Sequence, residues 1–380
     1  MVYLDNAATT FPKPNVVYDA MDRISRQGAV NSGRGSYRLA KEASHLIDET
    51  KKELRKLVHT DISSSVIFAP SITIALNQIV HGLHLRRKAV VYVSPYEHNA
   101  VARSVHLVAK QKNLIIKEIP INSEMEIDLE AMKYEFIKDK PEAVFCNHVS
   151  NVNGYILPVG EIFSEAKKYG SINILDTAQS LGLVDVRGDL LDVDIIAFAG
   201  HKSLYGPLGV GGFINITRIP LDVFIAGGTG SDSLNLEMPE GNESKYEVAS
   251  TNIVAIAGLN AALKVIKPYE CFRHEKELSE YLICQLNKIK EVKLLLPGNL
   301  ENHIGIVSCC IAGFDSQDIG LILDEDFDIA VRTGYHCAPF IHKYLRDEDS
   351  HGTVRISLGQ FSTRDDVDKI VSALKEIINE

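Results

Sequence analysis

The chain reads Ile195-Ile196-Ala197-Phe198-Ala199-Gly200-His201-Lys202-Ser203-Leu204-Tyr205-Gly206-Pro207-Leu208-Gly209-Val210-Gly211. Residues 195–199 are an unbroken apolar run, the pattern of a strand buried on both faces of a sheet. Repeated glycines follow, which mark a loop whose backbone comes close to something bulky. A lysine therefore ends a buried strand and opens a glycine-rich loop. Upstream, Ile172-Asn173-Ile174-Leu175 reads as a second buried strand and closes in Asp176-Thr177-Ala178-Gln179. Open α/β sheets bind ligands beyond the carboxyl ends of their strands, where Asp176 and Lys202 both fall.

An acid closing one buried strand and a lysine closing another is the layout that pyridoxal phosphate requires. The lysine forms a Schiff base and the acid pairs with the pyridinium nitrogen. Alone, Lys202 reads as a solvated loop cation, and a glycine-rich loop is a weak signal. Alone, Asp176 reads as a turn or cap aspartate. Asp176, Gln179 and His201 together with Lys202 favour the cofactor.

The surrounding pattern fits that sheet. Strand signals at 65–69, 90–93, 114–119, 143–147, 172–175, 195–199 and 212–216 are interleaved with helical signals, clearest at 72–83 and 101–110. Such alternation implies a mostly parallel sheet covered by helices. From about residue 253 the pattern changes to helices at 253–267 and 272–289, strands at 303–311, 329–332 and 352–358, and a short helix at 319–323. A final helix has Val367, Ile370, Val371, Leu374 and Ile378 on one face. The expected organisation is a large domain over 16–252 and a smaller α+β domain over 253–380. The stretch 227–233 is the most loop-like.

Composition narrows the function classes. The 380 residues carry a formal charge of −10, with 45% hydrophobic and 24% charged residues and no Trp. An acidic chain lacks the basic surface that general nucleic-acid binding needs, so no nucleic-acid partner is expected. No apolar run is long enough for a membrane span, and no membrane partner is expected. The first motif begins at once, so no signal peptide is expected. Six cysteines show neither CxxC nor metal-ligand spacing, so no metal is expected. A reducing cytoplasm is the expected location.

Several motifs in order give the chain a family resemblance. They are Tyr3-Leu4-Asp5-Asn6-Ala7-Ala8-Thr9-Thr10, Glu97-His98-Asn99, His148-Val149-Ser150-Asn151-Val152, the lysine loop, Arg332-Thr333-Gly334-Tyr335-His336-Cys337-Ala338-Pro339 and Val354-Arg355-Ile356-Ser357. Through these the chain resembles, over nearly its whole length, the cysteine desulfurases of the class-V aminotransferase group. The resemblance implies fold type I of the pyridoxal-phosphate transferases, with an N-terminal segment (1–15) packed on the small domain.

It also implies roles. Lys202 carries the cofactor, Asp176 keeps its ring nitrogen protonated, and Gln179 bonds the phenolic oxygen. His98 stacks on the ring and moves protons. Asn151 lies between the ring oxygen and the substrate carboxylate, which Arg355 clamps bidentately. Arg332 is a second candidate for substrate or for the cysteine loop, and Ala7 lines the substrate site. Thr73 at a helix start and His201 would hold the phosphate. Ser250 would reach the phosphate of a second subunit, which implies a homodimer. The chain departs from the pattern at Ala199, where a serine or threonine often donates to the phosphate. It departs again at Val248-Ala249-Ser250, in place of a more usual Ala-Gly-Thr.

Cys337 separates desulfurase from aminotransferase. A thiolate is the nucleophile, and Arg332 or a protonated His336 would favour it. The expected reaction takes sulfur from L-cysteine, releases alanine and leaves a persulfide on Cys337 for an acceptor protein or thiol. The short cysteine loop resembles members that accept L-selenocysteine, so selenocysteine lyase is the near alternative. An aminotransferase with an idle Cys337 is the next. A non-catalytic scaffold is disfavoured by Lys202, Asp176 and Cys337 together. Cys309 and Cys310, in an apolar strand, read as core.

Overall fold

The computed structural model describes residues 1–32, 35–230, 234–240 and 243–379. The chain opens with a two-residue strand, β1 (Val2–Tyr3), followed by helices Asn15–Gln27 and Arg38–Leu57. Seven strands then build the large sheet: β2 (Ser65–Ala69), β3 (Val90–Val93), β4 (Ile115–Glu118), β5 (Pro141–Asn147), β6 (Ile172–Asp176), β7 (Ile195–Ala199) and β8 (Gly211–Asn215). Their spatial order is β2-β8-β7-β6-β5-β3-β4. β4, β3, β5, β6 and β7 pair in parallel, and β8 runs antiparallel to both β7 and β2. This is the mostly parallel α/β sheet expected from the alternation. The strands lack polar alternation because helices cover both faces: every residue of β7 is buried.

Register fixes the site. β5 and β6 end level, with Asn147 opposite Asp176, and β7 runs two residues past Ala197, which lies opposite Asp176. Beyond β7 the chain folds into a tight loop in which Gly200 N–H donates to Val210 O (3.0 Å) and Gly206 N–H to Gly200 O (2.8 Å). A Cβ on Gly200 would stand 2.7 Å from Val210 O, and one on Gly206 2.8 Å from Gly200 O. Only glycine permits that closure, which carries Lys202 back over the strand ends. Of the loop-like stretch 227–233, Ser231, Asp232 and Ser233 lie outside the described residues.

The second sheet contains β9 (Val292–Leu294), β10 (Ile306–Ile311), β12 (Arg332–Gly334) and β13 (Thr353–Ser357), in the order β12-β13-β10-β9; β11 (Ile329–Ala330) instead pairs with β1. The apolar stretch at 329–332 is thus two strands in two sheets, divided at Val331. Val2 and Leu4 pack into the core formed by this sheet and the helix Arg364–Asn379. The helix Ile253–Val265 behaves differently from the sequence-based boundary at 253. Its Ala255, Ile256, Leu259 and Leu263 enter the large-domain core, and it packs on helices Asn15–Gln27 and Arg38–Leu57. Those two helices occupy a region for which the sequence reading named no element.

Candidate active site

A cavity opens at these strand ends, lined by Ile72, His98, Asn151, Asp176, Gln179 and Lys202 among others. Asp176 is 5% exposed. Its Oδ1 accepts the Ala178 N–H at 2.8 Å, and no cation is hydrogen-bonded to it among the described residues. Burial raises its pKa, while the Ala178 N–H and the Lys202 charge oppose the rise. Burial lowers the Lys202 amine to about 8, with Asp176 opposing and Arg355 and Arg332 assisting. The lysine therefore gives up its proton much nearer physiological pH than a solvated lysine does.

His98 caps the helix Asn99–Lys112, its Nδ1 accepting the Ala100 N–H at 3.0 Å. Burial, then the charges of Lys202, Arg332 and Arg355, lowers it to about 4. It is a neutral imidazole with its remaining proton on Nε2. Gln179 donates from Nε2 to Ala7 O at 2.8 Å, which ties the N-terminal segment to the strand-end loop.

Arg355 is 2% exposed on β13. Its Nη2 pairs with Asp5 Oδ1 at 2.6 Å, its Nη1 donates to Asn151 O at 2.9 Å, and its buried Nε has no partner. With Nη1 and Nη2 both engaged, the Nε–H is the donor of this guanidinium left without an acceptor among the described residues. Arg332 lies opposite Arg355 in the β12–β13 register and points Nη2 at Cys337 Sγ, 3.8 Å away. The cysteine is half-buried and opens on an apolar groove of about 680 Å3, lined by Ala102, Val105, Tyr335 and Phe340 among others. The expected cationic help from His336 is absent. That imidazole is buried against Thr353 Oγ1 (2.7 Å), and burial together with Arg355 holds it well below the usual histidine range, hence neutral. Arg332 is the charge beside the thiol.

The candidate phosphate groups divide. Thr73 is exposed in the first turn of the helix Ile72–Gly82, whose cap is Ser71. His201 Nδ1 is buried without a partner, and burial, Lys202 and Lys13 lower the ring to about 4. Ala199 is 2% exposed and packed with Ile67, Ala69 and Phe213, so its side chain belongs to the core. Ser250 is not in the Lys202 cavity of its own chain. It is exposed and lines a separate polar hollow with Gly227, Gly228, Glu243 and Glu247.

Some residues of the site were not read from the sequence. Asp5 lies 350 positions from the arginine it pairs with. Lys13 donates to Thr10 Oγ1 (2.6 Å) and His201 O (2.8 Å), and burial lowers it to about 7. Glu97 is fully buried with Oε1 against Ser94 Oγ (2.8 Å) and Asn147 N–H (2.6 Å); burial and the Asp176 charge raise it to about 8. Asp5 and Glu97 stood inside quoted motifs, which was the available signal.

The family model "Aminotransferase class-V" matches residues 2–370. The chain belongs to the class-V aminotransferase family. A probable cysteine desulfurase of Pyrococcus abyssi is 31% identical over all of this chain and 94% of the relative. A cysteine desulfurase of Yersinia pestis is 28% identical over 99% and 93%. The solved apo cysteine desulfurase of Thermococcus onnurineus is similar over 100% of this chain and 94% of that one, at 29% identity and a TM-score of 0.92. The class-V fold is fold type I, and its cofactor is pyridoxal 5′-phosphate. The residues here suit that group. Asp176 is a buried carboxylate with no cation hydrogen-bonded to it among the described residues, Lys202 lines the same cavity with a lowered pKa, and His201 keeps an orphaned ring nitrogen.

Proposed function

We propose that this chain is a pyridoxal-phosphate cysteine desulfurase that moves sulfur from L-cysteine onto Cys337. The observation that carries this is Arg332 Nη2 at 3.8 Å from Cys337 Sγ, in a loop anchored to the cofactor cavity through Asn99 and Asn151. A guanidinium N–H aimed at that sulfur places a cation beside the atom that attacks the substrate.

Lys202 would hold the cofactor and Asp176 its ring nitrogen, with Gln179 and Asn151 at the ring oxygen, His98 over the ring, and Thr73 and His201 toward the phosphate. When bound, the cofactor supplies an electron sink at the substrate α-carbon. Arg355 receives the substrate carboxylate at its free Nε–H, with Asn151 and Ala7 bordering that position. The released Lys202 Nζ takes the α-proton. Cys337 Sγ then attacks the substrate sulfur. The Cβ–S bond breaks and its electron pair stays on Cβ; one proton then goes to Cβ and Lys202 Nζ returns the other to Cα, which completes alanine. The new S–S bond leaves a persulfide on Cys337, facing the apolar groove from which an acceptor protein or thiol takes the sulfur. L-Selenocysteine fits the same steps, with a weaker bond to break.

A homodimer belongs to this reading. Ser250 is exposed and apart from its own Lys202 cavity, and Leu234 and Leu236 are almost fully exposed nearby in sequence. The unpaired state of all six cysteines supports a reducing cytoplasm. The test is incubation of pure holoenzyme with L-cysteine and a thiol. Equal release of alanine and sulfide supports the reading. Transfer of the amino group to a keto acid, with no sulfide, indicates the aminotransferase instead.

A further inference from the structure

Three consecutive carbonyls of the cysteine loop are each held by a different element. Cys337 O accepts the Asn99 N–H at 2.7 Å, and His336 O accepts Asn151 Nδ2–H at 2.7 Å. Tyr335 O accepts from His342 Nε2 at 2.9 Å and also from the loop's own Ala338 N–H at 3.0 Å. Between these anchors His336 and Cys337 have φ of 44° and 56°. Each non-glycine residue in that left-handed region costs roughly 1–2 kcal/mol, so outside restraint is needed to keep the thiol where it stands.

Two of the anchors adjoin the cofactor cavity. The third does not. His342 begins the short helix His342–Leu345 behind the loop and is 8% exposed. Its Nδ1 faces Asp347 Oδ2 at 2.5 Å, and Asp347 is 1% exposed. Tyr335 O can only accept, so Nε2 must carry a proton. The Nδ1–Oδ2 contact is the second hydrogen bond of the ring. A carboxylate behind an imidazole fixes its tautomer and orientation in this way. The Tyr335 ring also stands edge-on against the His342 ring at 5.0 Å and 86°. Burying such a pair costs desolvation, and no step of the reaction uses either side chain.

We propose that His342, backed by Asp347, is a positioning residue for the catalytic cysteine. By holding the Tyr335 carbonyl it keeps Cys337 in the left-handed conformation that presents its thiol to the substrate sulfur. This rests on the desulfurase reading for the chemistry, and on the loop geometry alone for the restraint. His342 has no hydrogen bond to Cys337, so its loss moves the thiol without removing it.

Two variants of the holoenzyme separate the cases. His342→Phe fills the space without a donor. The double variant His342→Gln with Asp347→Asn keeps an N–H toward the carbonyl and an N–H···O contact inside the pair, without charge. Three quantities are read: single-turnover persulfide formation on Cys337, the cysteine concentration that half-saturates the change in cofactor absorbance, and the rate of Cys337 alkylation by iodoacetamide without substrate. His342→Phe is expected to slow persulfide formation by about tenfold or more, with the half-saturating concentration unchanged within about twofold. Its alkylation rate should change about threefold or more, while the double variant stays near wild type in all three. Wild-type persulfide formation and alkylation in His342→Phe would overturn the proposal. So would a double variant as impaired as His342→Phe, whether or not that single variant folds. If the wild type forms no persulfide at all, the desulfurase reading fails, and the alkylation rates still decide whether His342 restrains the loop.

Discussion

An amine attacks a carbonyl only after it has lost its proton, and burial brings Lys202 to that point at about 8. Below that pH the neutral fraction falls about tenfold per unit. Capture of pyridoxal phosphate by the apoprotein should therefore accelerate with pH up to about 8 and level off above it, which rapid-mixing absorbance follows. A rate flat from pH 6 to 9 would contradict the lowered amine. Lys202→Ala should leave no absorbance from lysine-bound cofactor and no borohydride-trapped adduct. Cys337→Ala should divide the chemistry. L-Cysteine should still change the cofactor spectrum, because Lys202, His98 and Asp176 remain, while alanine and sulfide release from cysteine should fall to background. Normal alanine release from that variant would take Cys337 out of the reaction.

Elements decide which of these residues meet. Asp176 and Lys202 were legible because each ends an apolar run, and a parallel sheet gathers such ends at one edge. The Asp5–Arg355 pair was not legible, because it depends on β1 crossing to β11 and Asp5 bridging to Ser357. The reading of 329–332 as one strand failed for a related reason. Apolar residues on both sides of Val331 satisfy either sheet, and only the fold chooses where the chain changes partner. The loop before Ser250 carries a departure with a physical cost. Ala249 sits at φ 69°, where its Cβ is unfavourable and glycine is free. Ala249→Gly should gain about 0.5–1 kcal/mol net of the added freedom of the unfolded chain, seen as a higher urea midpoint with unchanged slope. A lower midpoint would show that the Cβ packs usefully.

At the scale of the whole molecule, buried titratable groups set the response to acid. His98, His148, His201 and His303 are each lowered to about 4, with burial the first cause in every case. Unfolded, they take up protons below about 6.5. Between pH 6.5 and 4 the unfolded chain thus binds protons that the folded chain refuses, and stability falls as pH falls. Glu97 and Glu275 oppose this, since burial raises both to about 8 and they are already protonated in the folded state. His81 and His336 are lowered too, and Asp176 and Glu247 are raised; six histidines against four carboxyls leave net proton uptake on unfolding at pH 5. The thermal midpoint should rise from pH 4.5 to 6.5, and a midpoint that fell over that range would contradict the neutral histidines. Strand–helix alternation located the chain among α/β proteins. It held no sign that the helix Ile253–Val265 belongs to the large-domain core, because its apolar face suits either domain equally.

The most direct measurement is the mass of the peptide bearing Cys337 after the holoenzyme has met L-cysteine, with alanine quantified in the same sample. The expected result is one added sulfur on Cys337, removed by reductant, and one alanine per persulfide formed. Added sulfur on Cys309 or Cys310 or nowhere, with alanine still released by Cys337→Ala, would contradict the assignment of Cys337 as the residue that takes the sulfur.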